Sequence, residues 1–232
     1  MKRLLLIAMA ALLLGVGTTW AGPIEEGIAA YERGDYATAL KMFQSPVAQG
    51  DASAQYGLGL MYDGGQGVAQ DYAEAARWYR LAAVQGYPAA QINLGMMYGN
   101  GRGVALDLAE ALTWLRLAAE RGAAMAQYNL GFIYGKKGVT QDHVEAVKWY
   151  RLAAAQGYAM AQYWLGVRYY EGQGVTQDYV RAHMWISLGG VSGYPDAAKG
   201  REVVEKRMTP QQIADAQKLA RECRERRFKG CD

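Results

Sequence analysis

Cysteine, histidine and serine are scarce in this sequence, and their scarcity limits the chemistry that the chain can perform. The 232 residues include two cysteines and two histidines. His143 and His183 are far apart and have no neighbouring cysteine, so they lack the spacing of a zinc site. None of the four serines lies in the Gly-x-Ser-x-Gly context of a hydrolase nucleophile. The sequence therefore predicts no metal or cofactor site and no catalytic centre.

A large excess of charge of either sign is also missing. The formal net charge is +3, and it becomes +1 when residues 1–21, which include Lys2 and Arg3, are left out. A nucleic-acid-binding protein needs a strongly basic face, so this balance argues against that class of partner. One asymmetry remains, because ten basic and six acidic residues follow from Lys199 onward. The favoured interpretation of this basic tail is a solvated helix face, and contact with an acidic surface is the alternative.

The sequence has one long hydrophobic run, at its start. Lys2 and Arg3 precede an apolar run from Leu4 to Val16, and Thr19-Trp20-Ala21 follows as a small-x-small cleavage site. The run is shorter than the ~20 residues that span a bilayer, which favours a cleaved secretory signal peptide over a membrane anchor. No cysteine follows the run, which argues against a lipoprotein. We therefore expect a periplasmic or secreted bacterial protein without a stable membrane span after cleavage at residue 21.

The two cysteines, Cys223 and Cys231, both lie in the basic tail. In an oxidising compartment two cysteines are compatible with one disulfide, and two free thiols are the alternative. A bridge across so short a loop would stabilise the fold by roughly 2–3 kcal/mol in the chain-entropy model. It would fix a C-terminal segment without organising the whole fold.

Internal repetition is the strongest signal in the chain. Equivalent aspartates recur at intervals of 35 or 36 residues: Asp35, Asp71, Asp107, Asp142 and Asp178. Such a period accommodates two helices of three to four turns and two short connections. The sequence therefore predicts an all-α protein built from repeated helix pairs.

The second helix of each unit is predicted to begin at these aspartates. Asp71, Asp107 and Asp142 are each followed three residues later by glutamate, which is the pattern of a capping box. A tryptophan then lies on the same helix face as small residues three before and four after it. The helices are predicted to end at Gly86, Gly122, Gly157 and Gly193, because glycine tolerates the left-handed conformation after a helix.

The first helix of each unit reads Ala-Gln-x-x-Leu-Gly-x-x-Tyr and begins at Ala54, Ala90, Ala126 or Ala161. Its small residues allow close helix contacts, and the tryptophan of the second helix is predicted to fill the wedge between successive pairs. Burying an indole ring removes about 150–250 Å² from water. The predicted structural seam consists of Trp78, Trp114, Trp149 and Trp185. An aromatic ligand cage is the disfavoured alternative for these rings.

The boundaries that follow from this pattern divide the chain into four parts. Residues 1–21 are the signal peptide, and residues 22–50 form an N-terminal helix pair without the tryptophan. Residues 51–193 hold four repeats, with bounds 51–86, 87–122, 123–157 and 158–193. Residues 194–232 form C-terminal capping helices and the basic tail.

The four repeats resemble Sel1-like repeats, which are related to the tetratricopeptide repeat. The resemblance rests on segments such as "AQYGLGLMYDGGQGVAQDYAEAARWYRLAAVQG" (Ala54–Gly86) and their three counterparts, and it covers residues 51–193. It implies a right-handed α-solenoid that binds protein partners on its concave face. Members of the family act as adaptors in bacterial envelope signalling, exopolysaccharide assembly and host contact.

A partner-binding surface can be located at positions that differ between the repeats, since packing accounts for the recurring ones. Two columns on the first helices vary in this way. The predicted partner-binding residues are Asn93, Met97, Asn129, Ile133, Trp164 and Arg168. Asparagine can bond a peptide backbone, methionine is adaptable, and tryptophan and arginine are favoured at binding hot spots. The alternative, given equal weight, is that these columns face a neighbouring repeat.

The sequence thus favours a non-catalytic adaptor or scaffold of the bacterial cell envelope that binds a protein partner. The alternative is an envelope enzyme of the β-lactam-hydrolysing or peptidoglycan-acting type. A cysteine-rich branch of the family is described as acting on β-lactams, with a disulfide joining the helices of each repeat. Because no repeat of this chain contains cysteine, the resemblance to that branch is incomplete.

Overall fold

The structure is a computed structural model that describes residues 22–136 and 141–231. Within these ranges all regular secondary structure is helical. The helices are α1 (Pro23–Glu32), α2 (Tyr36–Ala48), α3 (Ala52–Gly64), α4 (Tyr72–Val84), α5 (Pro88–Asn100), α6 (Leu108–Glu120), α7 (Ala124–Gly135), α8 (His143–Ala154), α9 (Ala159–Glu171), α10 (Tyr179–Val191), α11 (Ala197–Glu205) and α12 (Pro210–Glu225). The signal peptide expected at residues 1–21 lies outside the described residues.

From α1 to α10 the helices stack in chain order, and each packs mainly on the helix before it and the helix after it, whereas α11 and α12 both pack on α10. We call α3, α5, α7 and α9 the A helices, and α4, α6, α8 and α10 the B helices. The buried residues form four clusters spaced along the stack. This organisation is that of a solenoid, in which each unit contacts its neighbours. The predicted all-α, right-handed α-solenoid is confirmed.

The B helices begin where the aspartates predict. The carboxylates of Asp71, Asp107 and Asp142 each accept hydrogen bonds from two backbone N–H groups of the first helical turn. The predicted capping box is wrong for these helices, because the glutamate side chains turn forward along the helix. Glu74 pairs with Arg77 at 2.5 Å, and Glu145 pairs with Lys148 at 3.0 Å. The N–H groups of Asp71 and Asp142, which would complete the capping boxes, donate instead to the carbonyl oxygens of Tyr62 and Tyr134.

The N-terminus of α10, at Asp178, is stabilised by a different ion pair. It has no glutamate three residues later, and Arg181 instead pairs with Asp178 at 2.5 Å. In the equivalent position of α6, Glu110 accepts a hydrogen bond from the indole N–H of Trp114 at 2.9 Å. The complete capping box lies at the other end of the chain, where Thr209 and Gln212 bond reciprocally at the start of α12.

Glycine ends the helices as expected. Gly86, Gly122, Gly157 and Gly193 have φ between +80° and +99°, in the left-handed region after each B helix.

Pro46 shortens its helix less than expected, since α2 continues through it to Ala48. Its position in the last turn explains this tolerance, because few residues follow it in the helix.

Each repeat is held together by a side chain that packs on the glycine of the A helix. The residues that follow the tryptophans are fully or almost fully buried: Tyr79, Leu115, Tyr150 and Ile186. At Gly59 and Gly131, an added Cβ would lie 2.5 Å and 2.7 Å from the rings of Tyr79 and Tyr150. The A-helix glycine therefore receives a large side chain as well as a neighbouring backbone. Sequence reasoning predicted only the backbone contact.

Successive repeats are joined through the loops that follow α5 and α9. An ideal Cβ on Gly103 would lie 2.2 Å from the backbone oxygen of Tyr72, at the start of α4. Gly174 has the same relation to His143 at the start of α8, with a distance of 2.1 Å. Both glycines have positive φ. The loops thus use glycine to bring one repeat's backbone against that of the preceding repeat.

Candidate protein-binding surface

The exposed side of the A helices forms a stripe of apolar residues. We define this surface, the A-helix face, by the positions at steps of three and four along each helix that are not packed inside the stack. Its exposed members are Met125, Phe132 and Met160, at 49%, 42% and 37%. Its half-buried members are Leu60, Asn93, Met96, Trp164 and Val167. A contiguous apolar patch on a soluble protein is typical of an interaction site.

Charge distinguishes the A-helix face from the outer face of the B helices. Helices α5 and α7 contain no charged residue, α3 contains only Asp63, and α9 contains the buried Arg168 and its last residue Glu171. The B helices also expose leucines, but these alternate with arginine, lysine and glutamate, as in "AEAARWYRLAA" of α4. Depletion of charge is the compositional signal of an interface core. The A-helix face is therefore the stronger candidate for partner contact.

The structure divides the six predicted partner-binding residues into two groups. Asn93 and Trp164 are half-buried on the A-helix face. Met97, Asn129, Ile133 and Arg168 are buried, so their assignment to an exposed binding surface is corrected. Met97 packs with Leu94 and Tyr79, and Ile133 packs with Leu130 and Trp149. The physical reason is that these positions point toward the adjacent helix pair.

Arg168 has partners inside its own repeat. Its guanidinium lies 3.5 Å from the Glu171 carboxylate, hydrogen-bonds the side chain of Gln173, and lies 6.0 Å from the centre of the Trp164 ring. It is therefore a positioning residue for Trp164.

The residues of the A-helix face that sequence reasoning did not select are Leu60, Met96, Phe132 and Val167, together with Met125 and Met160. The first four occupy equivalent positions in the four A helices and differ in every repeat. The same criterion of variation that selected Asn93 could have selected them.

Tyrosines connect neighbouring A helices beneath this face. Tyr87, Tyr158 and Tyr194 each pack on a tyrosine of the preceding A helix, at ring-centre distances of 5.0, 5.4 and 4.3 Å. Burial raises the pKa of Tyr56 and Tyr79, and the nearby Asn93 side chain partly offsets that rise. Asn93 therefore lies beside tyrosines of the preceding repeat while part of it remains exposed.

The four predicted seam tryptophans differ in burial. Trp149 and Trp185 are 7% and 2% exposed, whereas Trp78 and Trp114 are half-buried. Trp78 packs against the cluster of α2 and α3, and Trp114 packs against the cluster of α4 and α5. Trp149 belongs to the cluster of α6 and α7. Each of these three rings therefore lies in a cluster shared by its own helix pair and the preceding pair.

The C-terminal segment folds back on the stack through a disulfide. Cys223 and Cys231 are bonded, with their Cα atoms 5.4 Å apart. The loop that they close carries Phe228, whose ring lies 3.1 Å from an ideal Cβ on Gly157. This loop therefore covers the turn between α8 and α9.

His183 takes part in an arrangement that resembles a catalytic triad. Its Nε2 lies 2.9 Å from Glu205, and its Nδ1 lies 3.4 Å from the Ser187 hydroxyl oxygen. The imidazole is 2% exposed, so a substrate has no access to it. The contacts instead join α10 to α11. In the described part of the chain, no group of three or more His, Cys, Asp or Glu could hold a metal ion.

The helices of the described residues also include none that is long and apolar enough to cross a bilayer.

Comparisons with known proteins agree with the helical geometry. The family model described as Sel1 repeat matches residues 52–87, 88–122, 124–158 and 159–189. A solved Sel1 repeat protein from Oxalobacter formigenes is 36% identical, with a TM-score of 0.66, and the match covers 74% of this chain and 71% of that protein. A protective antigen of uropathogenic Escherichia coli that displays an SLR fold is 33% identical, with a TM-score of 0.54. That match covers 88% of this chain and 53% of the antigen.

Among curated proteins no significant match is found. The family model nevertheless matches more than half of the residues, in four consecutive segments that each contain an A helix and a B helix. The chain therefore belongs to the Sel1 repeat family.

Proposed function

We propose that this protein is a non-catalytic adaptor of the bacterial cell envelope that binds a protein partner on the concave, A-helix side of its solenoid. Sel1 repeat proteins generally mediate protein–protein interaction, and the family is typically a non-catalytic scaffold. The observation that carries the choice of surface is the uncharged, apolar A-helix face. Exposed Met125, Phe132 and Met160 supply adaptable and aromatic contacts, and Asn93 supplies an amide for a peptide backbone.

A photocrosslinking experiment tests the surface. Phe132 on the A-helix face and Leu117 on the B-helix outer face are almost equally exposed, at 42% and 41%. A photoreactive phenylalanine analogue at position 132 is expected to crosslink a discrete protein in intact cells. The same analogue at position 117 is the matched control and is expected to give no such product. Equal crosslinking from both positions, or crosslinking from position 117 alone, would contradict the proposed surface.

Two features support the envelope location. The first 21 residues have the charge and hydropathy pattern of an export signal. Cys223 and Cys231 are bonded, and such bonds persist in oxidising compartments. Cell fractionation with mass determination of the mature chain tests the location. The expected chain begins at Gly22 and is found in the periplasm or medium, whereas an uncleaved chain in the cytosolic fraction would refute the proposal.

The enzyme alternative makes a different prediction. A β-lactam-acting enzyme of the serine type would be acylated by a fluorescent penicillin, because its nucleophile attacks the lactam carbonyl. We expect no covalent labelling of the purified chain, since His183 is inaccessible and no repeat contains cysteine. Stoichiometric labelling that is lost in a Ser187→Ala variant would establish the enzyme instead.

A further inference from the structure

The first repeat lacks a side chain at a position that the other three fill. Gly57 occupies the position held by Asn93, Asn129 and Trp164 in the later A helices. A cavity of about 250 Å³ lies at this point of the A-helix face. Its walls come from α1, α2, α3 and the turn before α5, and they include Tyr31, Phe43, Tyr56, Gly57, Leu60 and Tyr87. We call this cavity the Gly57 notch.

Glycine is required at the base of the notch. An ideal Cβ on Gly57 would lie 2.6 Å from the ring of Phe43, so a larger residue would have to displace that ring. Phe43 is 1% exposed and is in turn packed against Gly27. The notch is therefore a product of the core packing of α1–α3 and does not depend on the position of a flexible surface side chain.

The rim of the notch is acidic. Glu32 lines it, is exposed, and forms no ion pair with any residue in the described ranges. Asp63, further along α3, is paired with Arg102 at 2.9 Å and does not line the notch, so Glu32 is the carboxylate that the rim offers to an occupant. Residues 22–63 contain six acidic and two basic residues. An occupant with positive charge would therefore be favoured at this end of the molecule.

Elsewhere several aromatic rings are covered by cations of the chain itself. Arg77 lies 4.6 Å from the ring centre of Trp78, and Arg102 lies 4.9 Å from that of Tyr72. In the fourth repeat, Arg168 lies over Trp164, the residue equivalent to Gly57. Among the described residues, no arginine or lysine lies over the rings of Tyr31, Tyr56 or Tyr87. Tyr56 and Tyr87 also pack on each other, but the parts of the three rings that line the notch are not covered by a cation of this chain.

We propose that the Gly57 notch receives an arginine side chain of an extended segment of the partner protein. The guanidinium stacks on the tyrosine rings and pairs with Glu32, and its methylene groups contact Leu60 and Phe43. Arginine fits better than lysine because its planar, weakly hydrated group stacks on aromatic faces. The volume is below the about 300–1,000 Å³ of typical small-molecule pockets, so one side chain is a better match than a cofactor. This inference rests on the proposed function, and it names the partner's anchoring residue.

The test uses three acetylated, amidated tripeptides with glycine on each side of a variable residue. ¹H–¹⁵N NMR spectra of the purified chain are recorded during titration with the arginine, citrulline or norleucine peptide. Citrulline has nearly the shape of arginine without its charge, and norleucine tests apolar filling alone. The arginine peptide is expected to shift the amide signals of Glu32, Gly57 and Tyr87 in a saturable manner. The other two peptides are expected to bind at least about threefold more weakly.

Two variants on α1 separate the effect of the Glu32 carboxylate at the rim from the effect of the overall negative charge of this region. Glu32→Gln is expected to raise the Kd for the arginine peptide by about twofold to fivefold, as for loss of an exposed ion pair. Glu25→Gln, on the same helix and outside the notch, is the matched control and is expected to leave the Kd unchanged. Norleucine binding as tight as arginine binding, equal effects of the two variants, or no shifts at all would overturn the inference. Crosslinking from position 132 does not depend on the notch, so failure of the inference is distinguishable from failure of the proposed function.

Discussion

At the scale of single residues, the tryptophan of each B helix and the large residue that follows it pack against different neighbours. Trp149 packs in a cluster shared by its own helix pair and the preceding pair, whereas Tyr150 packs on Gly131 within its own pair. One ring therefore joins repeats and the next closes a repeat. The recurring Trp-Tyr, Trp-Leu or Trp-Ile step predicts this division only when the glycine of the A helix is considered with it.

Replacement of the seam tryptophans should have graded effects. Trp149→Ala is expected to lower the free energy of unfolding by about 3–5 kcal/mol, the typical cost of truncating a buried aromatic residue. Trp114→Ala removes a half-buried ring and should cost about half as much. Urea denaturation followed by far-UV circular dichroism measures both. Equal losses, or a larger loss for Trp114→Ala, would contradict the assignment of Trp149 as the more deeply packed ring.

At the scale of helices and loops, the sequence predicted boundaries better than side-chain directions. Asp N-caps and glycines with positive φ fix where each B helix begins and ends, and both are local signals. The direction of Glu74 was not predictable in the same way. Its carboxylate pairs with Arg77, and the Asp71 N–H behind it donates to the carbonyl oxygen of Tyr62 in α3, a contact between helices that a local pattern does not contain.

The prediction that Met97 lies on an exposed surface was wrong for a geometric reason. Residues four apart differ in direction by about 40°, and residues three apart by about 60° in the opposite sense. Met97 and Met96 therefore lie on the two sides of Asn93, and periodicity alone does not say which side meets the next helix pair. The structure buries Met97 and leaves Met96 half-exposed. That choice depends on the packing angle between repeats, which no single repeat encodes.

The loop glycines provide a prediction about contacts between repeats. Gly103 and Gly122 both have positive φ, but only Gly103 would bring a Cβ against backbone atoms of another repeat. Gly122→Ala, with nothing within 4 Å of the added Cβ, should cost about 1–2 kcal/mol from backbone conformation alone. Gly103→Ala adds a 2.2 Å collision with the Tyr72 carbonyl and should cost more.

Thermal denaturation of the two variants measures this difference. The expected result is a clearly lower midpoint for Gly103→Ala than for Gly122→Ala. If the two midpoints coincide, the loop does not dock on α4 in the way described.

At the scale of the whole molecule, different elements cap the two ends of the stack. In the first pair, Met42 and Phe43 occupy the positions of the tryptophan and the following ring in the repeats, and Phe43 packs on Gly27 and Gly57. At the other end, α12 packs on α10, and the loop closed by the disulfide reaches the turn between α8 and α9. Solenoids need such ends because terminal repeats have a neighbour on one side only.

The disulfide should therefore stabilise one end of the molecule and leave the other unaffected. The bonded cysteines are eight positions apart, and a loop of this length contributes roughly 2–3 kcal/mol in the chain-entropy model. Reduction is expected to accelerate amide hydrogen exchange in α12, in the loop that carries Phe228 and in the turn at Gly157. Exchange in α3 and α5 should stay unchanged, because contacts in a solenoid extend only between neighbours. Phe228→Ala with the disulfide intact should accelerate exchange at Gly157 without opening α12. Uniform acceleration along the whole chain on reduction would show instead that the disulfide supports a single cooperative fold.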